Sequence, residues 1–68
     1  MTIHPNDFKI GMLFDSPYGI TILIDKELSG PWSVVHWIVY CIEQGVFKTC
    51  STIEMIYLID RILEMPTT

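Results

Sequence analysis

The sequence predicts a small all-β domain, and three observations carry that prediction. The run from Trp32 to Ile42, WSVVHWIVYCI, is almost entirely β-branched or aromatic, the residue types that suit a pleated, half-buried surface. It meets Ile42-Glu43-Gln44-Gly45 and continues into VFKTCS, the pattern of a hairpin closed by a glycine in the left-handed conformation. Upstream, two further apolar runs are separated by Asp15-Ser16-Pro17-Tyr18-Gly19. In that pentapeptide proline presets φ, glycine permits a positive φ and the aspartate can accept from nearby amides.

Taken in order, residues 1–7 contain His4-Pro5-Asn6-Asp7 and read as an irregular lead-in. The first strand is expected at 9–15, built on FKIGMLF (Phe8 to Phe14), with a bend or bulge at Gly11 because glycine inside a strand weakens it. The second is expected at 19–26, where Ile20, Ile22 and Ile24 alternate with Thr21, Leu23 and Asp25. That alternation makes the isoleucine side the apolar face. A polar connection, KELSGP, leads to a third strand at 32–42 and a fourth at 46–51. If the second hairpin closes at Glu43-Gln44, Ile42 opposes Val46, Cys41 opposes Phe47 and Cys50 opposes Ile38. Residues 52–54 then make a tight one-turn connector, the last strand falls at 55–60, and 61–68 form a C-terminal extension of a single domain spanning 1–68.

An α+β alternative, a β-hairpin followed by helices at 31–44 and 52–65, competes with this reading. Ser33, His36, Tyr40, Glu43 and Gln44 fall on one face of a helix between Pro31 and Gly45. Ser51-Thr52-Ile53-Glu54 has the form of a capping box, and Ile56, Ile59 and Leu63 make a stripe before Pro66. Residue choice opposes the first helix. Val34, Val35, Trp37, Ile38, Val39, Tyr40, Cys41 and Ile42 are all weak helix formers, and a penalty of a few tenths of a kcal/mol each accumulates over consecutive positions.

Composition narrows function. At 68 residues the core is thin, since a chain of that size buries only about 60% of its unfolded surface. Half the residues are hydrophobic and 18% are charged, so the chain is not disordered, yet it has few charges to keep a small surface soluble. Burial of apolar surface in a homo-oligomer or larger assembly follows as an expectation. The formal charge is −4, and Lys9, Lys26, Lys48 and Arg61 are scattered. Nucleic-acid binding needs a concentrated basic footprint and is not expected. The longest uncharged apolar stretch, Trp32 to Ile42, has 11 residues against the roughly 20 that span a bilayer as a helix. With no basic segment leading into an apolar stretch at the N-terminus, no membrane association is expected, and the protein is placed inside the cell.

Chemistry-bearing residues are sparse. Cys41 and Cys50 suit a reducing compartment and read as two buried thiols. A zinc site drawing on His4, His36, Cys41 and Cys50 lacks any close Cys-x-x-Cys spacing, so no metal is expected. His36 has no neighbouring nucleophile, and neither a glycine-rich phosphate loop nor a His-Glu-x-x-His motif is present. The chain is therefore expected to be non-catalytic, with no catalytic residue and no cofactor.

The order GMLF (Gly11 to Phe14), YGITILID (Tyr18 to Asp25), GPWSVVHW (Gly30 to Trp37), GVFKTCS and EMIYLI (Glu54 to Ile59) resembles the small SH3-like β-barrel proteins encoded by tailed bacteriophages. The resemblance covers about residues 9–60 and departs from the pattern at the long IVYCIEQ and at 61–68. It implies a five-stranded barrel with a filled interior, a place in the host cytoplasm or the virion, and work done through protein–protein contacts in an assembly or on a host factor. Binding residues would then be exposed aromatics near turns. Trp32, after Gly30-Pro31, is the foremost candidate, joined by Tyr18 and Pro17 as one patch and by Trp37 and Tyr40; Tyr57 also belongs among the aromatics of interest. Two other readings are an oligomeric binder of a small ligand, such as a nucleotide signal, and a small helical inhibitor or adaptor.

Overall fold

A computed structural model describes residues 4–66. Five strands, β1 (Leu13–Ser16), β2 (Gly19–Ser29), β3 (Val34–Cys41), β4 (Val46–Ser51) and β5 (Arg61–Glu64), form one antiparallel sheet, and a single short helix, α1 (Thr52–Leu58), joins β4 to β5. The strand order is β4-β3-β2-β1-β5. The described residues are thus mostly antiparallel sheet with one short helix, between the all-β and α+β expectations. β4 and β5 are the two outer strands and do not pair with each other, so the sheet is open.

The helix expected in the α+β alternative at 31–44 is overturned. Val34–Cys41 is the best-paired strand in the sheet, with ladders to β2 on one side and β4 on the other. A central strand satisfies its backbone on both edges while its branched side chains pack on the pleat, so tertiary pairing and local propensity agree. In the C-terminal segment the local helix signal prevails. Ser51 Oγ accepts from the Glu54 N–H at 3.2 Å, and the Glu54 carboxylate accepts from the Ser51 N–H at 3.0 Å. This reciprocal cap starts α1, so the strand expected at 55–60 does not form. The last strand is instead Arg61–Glu64, inside the segment expected to be an extension, and it returns to pair with β1.

Three finer expectations also change. The first strand begins at Leu13, not residue 9, because a turn from Lys9 to Met12 with Gly11 at φ 95° occupies that stretch. The isoleucine side of β2 is not the core face. Thr21 and Leu23 are fully buried, Ile20 and Ile22 are half-buried, and Ile24 is exposed. Register explains this: Phe14 sits opposite Thr21, so the inward face of β1 selects Thr21 and Leu23. The buried hydroxyl of Thr21 is satisfied by Ser16 Oγ at 3.0 Å and by donating to the Gly19 carbonyl at 3.2 Å. A bulge at Ile24 then exchanges the faces, which places Lys26 opposite Trp37 and Leu28 opposite Val35.

The second hairpin closes as expected, on Gly45 at φ 68°, whose N–H donates to the Cys41 carbonyl at 2.8 Å. Its loop runs over 42–45, one residue longer than the 43–45 loop that an Ile42–Val46 pair would leave, so the register moves by one. Cys41 faces Val46, Tyr40 faces Phe47 and Trp37 faces Cys50. Of the lead-in, Met1 to Ile3 lie outside the described residues, whereas Pro5–Asp7 form a 3-10 turn capped by the His4 side chain.

The core gathers Phe8, Met12, Phe14, Leu23, Trp37, Val39, Cys50 and Met55. Phe8 meets the Trp37 indole edge-on, with centroids 5.0 Å apart, an arrangement that adds to area burial. Met55 is the buried residue of α1 and pins the helix over the sheet.

Candidate functional site

Apart from Phe47, on the outer face of the sheet, the exposed aromatic residues of the described chain fall on two surfaces, which adjoin opposite ends of β2. The first is the tip of the β2–β3 hairpin. Every residue from Ile24 to Val34 is exposed, so this ribbon leaves the core and stands in solvent. The turn at its end uses Gly30 at φ 76° and Ser33 at φ 51°, closed by the Ser33 N–H donating to the Gly30 carbonyl at 3.2 Å. Trp32 sits on this turn at 87% exposure, with Leu28 (62%) and Val34 close by in the ladder.

The second is a groove of about 580 Å³ between the β1–β2 turn, β4 and α1, lined by Pro17, Tyr18, Lys48, Ile53, Tyr57 and Leu58 among others. Ile53 and Tyr57 share one helix face by their i, i+4 spacing, opposite the side that Met55 buries. The Lys48 ammonium lies 4.5 Å from the centre of the Tyr18 ring, a cation–π distance. Lys48 takes part in no ion pair among the described residues, where Arg61 to Asp15 at 3.0 Å is the salt bridge present.

The sequence-chosen residues therefore separate. Trp32 is on the tip, whereas Tyr18 and Pro17 are at the groove, so they do not form one patch. Trp37 is 7% exposed and its indole N–H donates to Thr52 Oγ1 at 2.9 Å; it is a core residue with no free surface to offer. Tyr40 is half-buried on the outer face of the sheet and packs on Phe47 with centroids 4.7 Å apart. Sequence reasoning passed over Leu28, Lys48 and Ile53. The i, i+4 pair Ile53/Tyr57 behind a capping box was a usable signal for a helix face left in solvent, but the meeting of Lys48 with Tyr18 had no local sign.

Titratable groups at the groove argue against nucleophilic chemistry. Burial pushes the Cys50 thiol above its ordinary range, with the nearby Glu54 charge adding to the effect and Cys41 contributing further. Cys50 is thus held as a thiol near neutral pH, and native protein is expected to alkylate with iodoacetamide on the order of tenfold or more slowly than denatured protein. Equal rates would contradict the burial described. Since the folded value is the higher one, this group's contribution to stability is present below the ordinary thiol range and declines as pH rises through it.

Glu54 shifts the other way: hydrogen bonds with the Ser51 backbone and then its side chain hold the carboxyl below its ordinary value. Its contribution is present above the ordinary carboxylate range and lost as pH falls through the lowered value. Chemical denaturation at stepped acidic pH is expected to show a shallower acid loss in Glu54→Gln than in the parent chain. No cluster of His, Cys, Asp and Glu suited to a metal occurs among the described residues, and no described helix is long and apolar enough to cross a membrane.

No family model, curated protein or solved structure matches the chain.

Proposed function

We propose that this chain is a non-catalytic protein-binding module whose contact element is the tip of the β2–β3 hairpin. The observation that carries the reading is Trp32, 87% exposed on a turn at the end of a ribbon exposed from Ile24 to Val34. Exposure of a tryptophan beside Leu28 and Val34 is unfavourable in water and becomes favourable when a partner covers it. Tryptophan is also among the residues that most often dominate interface energetics, because it buries a large rigid surface at small entropic cost. The extended ribbon behind it lifts the anchor clear of the body, so a partner can surround it.

The non-catalytic part of the proposal is supported by the protonated state of Cys50 and by the position of His36, opposite Glu27 and Ser51 in the ladder with no nucleophile activated by it. A relative of the SH3-like proteins of tailed phages, with its five strands in an open sheet and not a closed barrel, remains our proposal for the fold family and origin. Its support is the sequence order described above together with the return of β5 to β1 after a short helical connector. On that reading the partner is another component of an assembly, or a host factor.

Site-specific photo-crosslinking in cells tests the contact element. A photoreactive residue at position 32 is expected to give a discrete protein adduct, and one at Phe47, 66% exposed on the outer face of the sheet, is expected to give none. Adducts at 47 with none at 32 would move the contact surface to the sheet and sink the reading.

A further inference from the structure

We infer that the hairpin tip of one copy seats in the Tyr18–Tyr57 groove of another, giving head-to-tail association of this chain. The inference rests on the tip reading above and names its occupant's site. Tip and groove are complementary in kind. The tip offers Leu28, Trp32 and Val34 as a projecting apolar end, while the groove offers about 580 Å³ walled by Tyr18, Ile53, Tyr57 and Leu58.

They are also complementary in charge. The ribbon carries Asp25 and Glu27, neither of which is in an ion pair among the described residues, while its lysine, Lys26, is turned onto its own Trp37 ring at 5.6 Å. The groove carries Lys48, which has an aromatic contact with Tyr18 but no carboxylate partner. Glu54, the acid at the groove, already accepts the Ser51 N–H in the helix cap. A carboxylate of the incoming ribbon thus meets an ammonium that is free to receive it.

Tip and groove adjoin opposite ends of β2, and we take each copy to give its tip to one neighbour and its groove to another, a heterologous contact. Such a contact repeats into a ring or a filament instead of stopping at a two-fold dimer. An indole with its apolar neighbours buries far less than the 1,200 Å² or so typical of stable interfaces, so a single contact is weak and association depends on concentration.

Sedimentation of the full chain over a concentration series tests this, with Trp32→Asp to disable the tip and Tyr57→Asp, at a position 80% exposed, to disable the groove; circular dichroism confirms that both fold. The parent chain is expected to grow in mass with concentration and each variant to stay monomeric. Mixed together, the two variants are expected to form a one-to-one dimer and nothing larger, since one intact tip and one intact groove remain. Glu27→Lys and Lys48→Glu are each expected to weaken association about tenfold, and the double variant to recover it.

A parent chain that stays monomeric, or variants that do not complement, overturns the inference. So does a nucleotide that raises the melting temperature of a monomeric parent chain but not of Tyr57→Asp, which assigns the groove to a small ligand. If the parent is monomeric while crosslinking at position 32 still captures another protein, self-association falls and the tip reading stands; if both are negative, both fall.

Discussion

Trp37→Ala is expected to unfold most of the protein at 25 °C, while Trp32→Ala leaves its melting temperature nearly unchanged. The two tryptophans lie five positions apart in one apolar run, yet one is 7% exposed and the other 87%. Removing Trp37 deletes a side chain packed edge-on against Phe8 and leaves Thr52 without the indole N–H that it accepts. Large-to-small changes at buried aromatics cost about 3–5 kcal/mol, and a core of this size rarely supplies more than about 3–5 kcal/mol in total. Thermal melts followed by circular dichroism check it. A Trp37→Ala protein that melts within a few degrees of the parent would refute the packing described. Trp32→Ala reads out separately, as loss of the crosslinked or self-associated species with the fold intact.

Met55→Ala is expected to cost about 2–5 kcal/mol, with Met55→Leu costing less than about 1.5 because volume is conserved. Met55 is the buried residue of α1, and α1 is the only link between β4 and β5. Loosening the helix should therefore release β5, whose approach to the sheet begins with the Asp60 N–H donating to the Asp15 carbonyl at 2.9 Å. Hydrogen exchange on Met55→Ala is expected to show Arg61 to Glu64 losing protection ahead of β2 and β3, which share the longest ladder. Uniform loss across all five strands would show instead that α1 and β5 belong to the same cooperative unit as the central hairpin.

These contrasts show where local pattern was sufficient. Val34 to Cys41 reads as a strand from its branched and aromatic residues, and Gly45 as the closing residue of a hairpin from its freedom at positive φ. Ser51 and Glu54 read as a helix start because both partners of the cap lie within one turn. That same cap excludes the terminal strand expected at 55–60, because it starts α1 there. Gly30-Pro31 read as a turn, since such a pair cannot sit inside a sheet, and this placed Trp32 at the mouth of a strand.

Facing and meeting were another matter. Whether isoleucines or Thr21 and Leu23 turn inward depends on Phe14 in the neighbouring strand, and the bulge at Ile24 then reverses the parity for the rest of β2. Nothing within a few residues of Trp37 says that it is core while Trp32 is not; the pairing of Trp37 with Lys26 and Cys50 says so. Lys48 reaches Tyr18 across thirty positions of chain. Backbone preference, turn geometry and capping are short-range and so are written in neighbouring residues. The inward face, the groove and its lysine arise from contacts between distant segments, which exist only once the sheet has assembled.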